Sequence, residues 1–173
     1  MKREKFIRLS TLIAGAAAVT GFQSIGKTAE DRREVLSSRT VDVLPISPDE
    51  RKERIARAQQ LMFQNNMAAL VIEGGSSLEY FTGISWWLSE RTMVAVIPAK
   101  GEIIYVCPGF EENRFRELIT IGKKVIVWQE DESPYNQITR VFSEAGIPAG
   151  KIGMEEQLRF FIFDGIRKAA PQM

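Results

Sequence analysis

The segment MAALVIEGGSSLEYFTG, residues 67–83, joins a short apolar run to a short helical pattern through two glycines. The run at residues 67–72 has the length of a buried strand, and Gly74-Gly75 after it favours a turn. Residues 76–81 have the length of a short helix that Gly83 would end. A strand followed directly by a helix is typical of α/β proteins, so this segment indicates the fold class.

The segment before this strand contains a complete helix start. Ser47 can cap the helix, Pro48 suits the first helical position, and Glu50 follows the cap at the spacing of a capping box. Apolar residues then recur at helical spacing until Asn65-Asn66, where we expect the helix to end.

Strand and helix patterns continue downstream of residue 83. The runs at residues 92–97 and 102–106 are rich in β-formers, and the turn residues at 98–101 join them as a hairpin. The other predicted elements are helices at residues 110–119, 134–145 and 157–170 and strands at residues 124–128 and 151–154. This order predicts an α/β domain over residues 47–173, with a mixed β-sheet flanked by helices.

The last predicted helix is apolar on more than one side. One face carries Leu158, Phe161, Ile162, Gly165, Ile166 and Ala169, and another carries Phe160 and Phe163. A helix of this kind is normally buried on both sides. We therefore expect the isolated chain to self-associate through Phe160, Phe163 and the loop that contains Trp86 and Trp87.

The N-terminal segment differs in composition from the predicted domain. Basic residues are concentrated in residues 1–8, and the apolar run at 9–22 follows them, as in a secretory signal peptide. We interpret residues 1–26 as a signal peptide-like segment and residues 27–46 as a linker. We therefore expect the protein to be exported to the periplasm or the cell exterior. In a variant of this interpretation, the uncleaved signal anchors it in the membrane. A disordered tail or a buried helix is the alternative.

The residue inventory excludes several classes of site. None of the 173 residues is histidine, which removes His-based triads and the commonest zinc sites. We expect the one cysteine, Cys107, to be a buried packing thiol, because it follows an apolar run. A net charge of +1 gives no reason to expect a nucleic acid partner. Adjacent carboxylates, as at residues 111–112, do not converge on a metal, so we assign no catalytic residue and no metal site to this chain.

Two adjacent tryptophans distinguish the loop around residues 80–91. Neighbouring side chains of an extended segment point to opposite sides, so Trp86 and Trp87 cannot easily face one core. One of them should be exposed or held in an interface, beside Arg91, which is a residue type that binds carboxylates. In the alternative reading, both indoles pack under the loop and Arg91 pairs with acidic neighbours.

Four successive segments resemble the N-terminal domain of the creatinase, prolidase and aminopeptidase P family, the pita-bread metallopeptidases. They are PDERKERIARAQQLM (48–62), AALVIEGGSSLEYFTGISWW (68–87), VIPAKGEIIYVCPGFEENRFRE (96–117) and IGMEEQLRFFIFDGIRKAAP (152–171). Within the second, Tyr80-Phe81-Thr82-Gly83 is similar to the family's Tyr-Leu-Thr-Gly signature, with Phe in place of Leu. The order of the segments carries the resemblance more than any single motif.

The resemblance implies a mixed sheet with flanking helices in front of a larger catalytic domain. In the family, that second domain supplies two Asp, two Glu and a His to a dinuclear metal centre, and this chain is expected to end where the linker to it begins. In similar dimeric proteins the N-terminal domain leans over the partner's active site. Carried over, the resemblance makes Trp86, Trp87 and Arg91 substrate-facing or interface residues, with no cofactor in this chain itself.

Three functions follow from the resemblance. The favoured one is a non-catalytic N-terminal domain of an exported Xaa-Pro peptidase-like protein, which contributes to dimerisation and substrate access. Its expected partners are a catalytic metallopeptidase domain or a second copy of the chain, with a small proline-containing peptide as substrate. The alternatives are a free-standing small-peptide binding module and a structural subunit of a separate catalytic chain.

Overall fold

Five strands form one mixed sheet in the computed structural model, which describes residue 40 and residues 42–173. The strands are β1 Met67–Glu73, β2 Val94–Pro98, β3 Ile104–Pro108, β4 Lys124–Trp128 and β5 Lys151–Met154, in the order β4-β3-β2-β1-β5. β2 is antiparallel to both of its neighbours, whereas the β3–β4 and β1–β5 pairs are parallel. β1, β3, β4 and β5 therefore run in one direction, and their carboxyl ends share one edge of the sheet, called the carboxyl edge below.

Helices cover both faces of this sheet, which confirms the predicted fold class. They are α1 Pro48–Gln64, α2 Ser76–Thr82, α3 Glu112–Leu118, α4 Pro134–Glu144 and α5 Phe160–Ala169, and a 3₁₀ turn at Gly109–Glu111 precedes α3. Alternate residues of each strand point to opposite faces. In β3, Ile104 and Val106 pack in a core with α4 and α5, while Tyr105 and Cys107 pack in a core with α1, α2 and α3. The prediction of a buried Cys107 is confirmed.

Local sequence signals explain where α1 begins and ends. The Ser47 hydroxyl accepts a hydrogen bond from the Glu50 backbone N at 3.1 Å, and Pro48 occupies the first turn. The Glu50 carboxylate pairs with Arg54, one turn further along the helix. At the other end Asn65 caps the helix, and Asn66 turns the chain into β1 with a left-handed φ of 54°. The boundaries predicted from the cap and from Asn65-Asn66 are confirmed.

The last helix differs from its prediction in two respects. It begins at Phe160 and not at residue 157, because Arg159 is extended, with φ −62° and ψ 137°, and its guanidinium is bonded to Glu73 of β1. Its inward face is formed by Ile162 and Ile166, whereas Phe161 is 41% exposed and lies over the Arg159 guanidinium. The assignment of Phe161 to the buried face was therefore wrong.

The N-terminal predictions fall outside the part of the chain that the structure describes. The signal peptide-like segment, residues 1–26, lies wholly outside it, as does most of the linker at residues 27–46. Residues Pro45–Met173 form a compact unit of their own. In the described residues, no helix has both the length and the apolar character needed to cross a membrane.

Candidate functional site at the carboxyl edge

Connections from all five strands meet at the carboxyl edge. Glu73, Pro108, Trp128 and Met154 end the four strands that run in one direction, and Val94 begins the antiparallel β2 opposite Glu73. Ligands of open α/β sheets bind in the crevice outside the carboxyl ends of the strands. The segment that leads into β2 also contains the three residues singled out from the sequence. Topology and sequence thus indicate the same candidate site.

The two tryptophans of this segment face opposite environments, as their adjacency predicted. Trp86 is only 8% exposed, and its ring meets Phe115 edge-on with 5.2 Å between the ring centroids. The absence of a side chain at Gly74 permits this packing, because a Cβ there would lie 3.2 Å from Trp86 Cδ1. Trp87 is 86% exposed. Trp86 therefore belongs to the core, and Trp87 presents its indole at the surface.

Arg91 is held between acidic and aromatic neighbours. Its Nε lies 3.0 Å from Glu130 Oε1, at an angle that does not make a hydrogen bond, and its Nη1 lies 3.5 Å from Glu90 Oε1. The guanidinium also lies 5.8 Å from the ring centroid of Phe110, which is exposed. Arg91 is therefore paired with acidic neighbours, as the alternative interpretation of this residue expected. Its side chain remains 34% exposed to solvent.

Glu73 and Arg159 form an ion pair beneath this loop that sequence reasoning did not single out. The Glu73 side chain is 3% exposed and accepts a hydrogen bond from Arg159 Nε at 2.7 Å. The Glu155 carboxylate accepts from the Glu73 backbone N. A charged residue at the end of a buried strand, as Glu73 is in the sequence, was the available signal. Its partner could not be found, because 86 positions separate the two residues.

The carboxylates of the edge stabilise local structure. Glu112 pairs with Arg116 one turn along α3, and Glu132 accepts a hydrogen bond from the Gln129 backbone N at 2.8 Å. Within the described part of the chain, no three His, Cys, Asp or Glu side chains are grouped so that they could hold a metal ion. The edge offers an exposed indole, an exposed phenyl ring and a partly exposed guanidinium, a set suited to binding.

Comparison with known proteins places the chain in a family. A family model described as the Creatinase/Prolidase N-terminal domain matches residues 54–173. An uncharacterised peptidase of Schizosaccharomyces pombe is 31% identical over 142 residues, which cover 74% of this chain and 30% of the relative.

Solved structures share the fold. Dipeptidase PepE from Mycobacterium ulcerans is similar with a TM-score of 0.64 and 24% identity, over 72% of this chain and 33% of that one. The N-terminal domain of an X-Pro dipeptidase from Streptococcus pyogenes is similar with a TM-score of 0.60 and 18% identity, over 70% of this chain and 90% of the domain. The chain spans about a third of the length of the yeast relative and of PepE. The chain belongs to the creatinase/prolidase N-terminal domain family.

Proposed function

We propose that this chain is the non-catalytic N-terminal domain of an exported Xaa-Pro peptidase-like protein, and that its carboxyl edge borders the substrate path of a catalytic domain. The observation that carries the proposal is Trp87, whose indole is 86% exposed while its neighbour Trp86 fixes the loop in the core. An exposed aromatic ring on an ordered backbone loses little conformational entropy when it packs on a ligand. The family relationship supports the peptidase assignment, and the pattern of residues 1–26 supports export.

In this proposal the chemistry is divided between two domains. The catalytic domain, or a homodimer partner that contains it, holds the dinuclear divalent metal, and no cofactor is assigned to the described residues. Trp87 contacts the apolar part of a small proline-containing peptide or the partner surface around it. Arg91, already shared between two carboxylates, adds positive charge near a peptide carboxylate.

A free-standing peptide-binding module is the second candidate. The placement of Trp87 and Arg91 on one loop favours it, because an indole can stack on a prolyl ring while a guanidinium pairs with a carboxylate. Titration of the isolated chain with a Xaa-Pro dipeptide separates the two candidates. Quenching of tryptophan fluorescence at micromolar peptide that is lost in Trp87→Ala supports the module.

A chimeric enzyme tests the favoured proposal. Residues 45–173 replace the N-terminal domain of the Streptococcus pyogenes X-Pro dipeptidase, and hydrolysis of a Xaa-Pro dipeptide is first established. We then expect Trp87→Ala to lower kcat/KM about tenfold, the equivalent of about 1.4 kcal/mol of transition-state binding. Phe63→Ala is the matched control, because Phe63 is exposed near the end of α1, which leads into the opposite edge of the sheet. Equal kcat/KM values for the two variants would contradict the proposal.

A further inference from the structure

The buried carboxylate of Glu73 is bound almost entirely by one residue. Arg159 donates from Nε at 2.7 Å and from Nη2 to Glu73 Oε1, and from its backbone N at 3.3 Å to Oε2. A charge buried to this extent is tolerated only where it is paired and hydrogen-bonded. The pair thus fixes the Arg159 guanidinium at the end of β1.

The other side of the same guanidinium contacts the loop that contains Trp86 and Trp87. Arg159 Nη1 donates to the Ser89 carbonyl, and the Ser89 hydroxyl accepts from the Arg91 backbone N at 3.1 Å. Residues 83–89 belong to no helix or strand. Among the hydrogen bonds of the described residues, the bond from Arg159 is the one that connects residues 85–90 to another element.

We propose that Arg159 is a positioning residue, which uses Glu73 as its fixed support to hold the Ser89 carbonyl and thereby orients Trp87 and Arg91 at the carboxyl edge. The orientation of the loop is a property of the isolated chain, but its use in substrate access rests on the proposed function above. Arg159 also immediately precedes α5, so the loop and the first turn of α5 share this support.

The geometry of the guanidinium distinguishes positioning from simple charge pairing. A guanidinium presents several N–H donors in a rigid plane and can serve Glu73 and Ser89 together, whereas a lysine ammonium is a single compact donor group on a flexible stem. Arg159→Lys retains the positive charge beside Glu73 and loses the bridge. A role in charge pairing alone leaves the loop ordered in this variant, whereas the positioning role does not.

Backbone ¹⁵N relaxation of the purified chain tests the proposal. We expect the order parameters of residues 87–90 to fall from about 0.85 in the wild type to below about 0.6 in Arg159→Lys, while the strands remain rigid. Arg167→Lys is the matched control, because Arg167 pairs with Asp164 at 2.8 Å on the exposed face of α5. Glu73→Gln removes the negative charge that holds the Arg159 guanidinium in place, and it should make the same residues more mobile.

The outcomes separate this inference from the proposed function. Unchanged order parameters in Arg159→Lys would overturn the positioning role, as would unfolding of both Arg159→Lys and Glu73→Gln, since the pair would then serve the fold alone. Arg159→Lys is also placed in the chimeric enzyme. A mobile loop with a lower kcat/KM supports both proposals. A mobile loop with unchanged kcat/KM supports the positioning role and contradicts the role of the edge in substrate access.

Discussion

The thiol of Cys107 is fully buried in the core beneath α1, α2 and α3. The pKa of this thiol is raised from 9.0 to about 12, chiefly because burial would deprive the thiolate of its hydration, with a smaller contribution from the negative charge of Glu112. The group is therefore a protonated thiol at neutral pH. The same core buries Tyr105, and burial raises the pKa of its phenol.

These pKa shifts predict that the domain loses stability at alkaline pH. The unfolded chain releases the Cys107 proton near pH 9, whereas the folded chain retains it to about pH 12. The free energy of unfolding is thus unaffected below pH 9 and falls as pH rises towards 12, by at most about 1.4 kcal/mol per pH unit from this thiol. Urea unfolding at pH 7, 9 and 10 measures it. Cys107→Ala should reduce the fall between pH 9 and 10, and an equal fall in both proteins would refute the assignment.

Among the elements, α5 has two apolar faces in different environments. Ile162 and Ile166 are buried against the sheet and α4. On the outside, Phe160 is 74% exposed and Phe163 is 42% exposed, with 6.0 Å between their ring centroids. Exposed aromatic pairs of this kind favour association, because each ring removed from water contributes about 25 cal/mol per Å² of apolar area.

We predict that the chain self-associates through this outer face. Static light scattering should show a mass that increases with concentration, and the double change Phe160→Ser and Phe163→Ser should keep the chain monomeric and folded. Ile162→Ser is the contrasting variant. It should lower the free energy of unfolding by about 3 kcal/mol or more, because it leaves a cavity and a buried hydroxyl. A wild-type chain that stays monomeric at high concentration would contradict the prediction.

Local sequence patterns predicted most elements, because their determinants lie within a few residues. The bounds of β4 and β5 agree with the predicted runs, and the α1 cap lies at Ser47. The start of α5 and the hydrogen bond from Arg159 to the Ser89 carbonyl could not be predicted. Both depend on the ion pair between Arg159 and Glu73, which are 86 positions apart. The exposure of Trp87 was predictable only as one of two tryptophans. Strand alternation does not say which indole faces the core.

For the whole molecule, the direction of the strands determines where function can reside. Four carboxyl ends and the loop before β2 meet at one edge, and the buried Glu73–Arg159 pair lies beneath the exposed Trp87 there. Aromatic and charged side chains of the described residues form the surface at this edge. We propose that this surface serves peptide hydrolysis by another domain and performs none itself.

Hydrolysis of Xaa-Pro dipeptides and tripeptides by the purified chain tests this claim most directly. Manganese, cobalt and zinc are each added, and release of the N-terminal amino acid is compared with that of the metal ion alone. We predict no release above the metal control, because the chain contains no histidine and its described carboxylates do not converge on a metal. Metal-dependent turnover by the chain that is abolished by substituting its own residues, such as Glu73→Gln or Arg91→Ala, would contradict the claim.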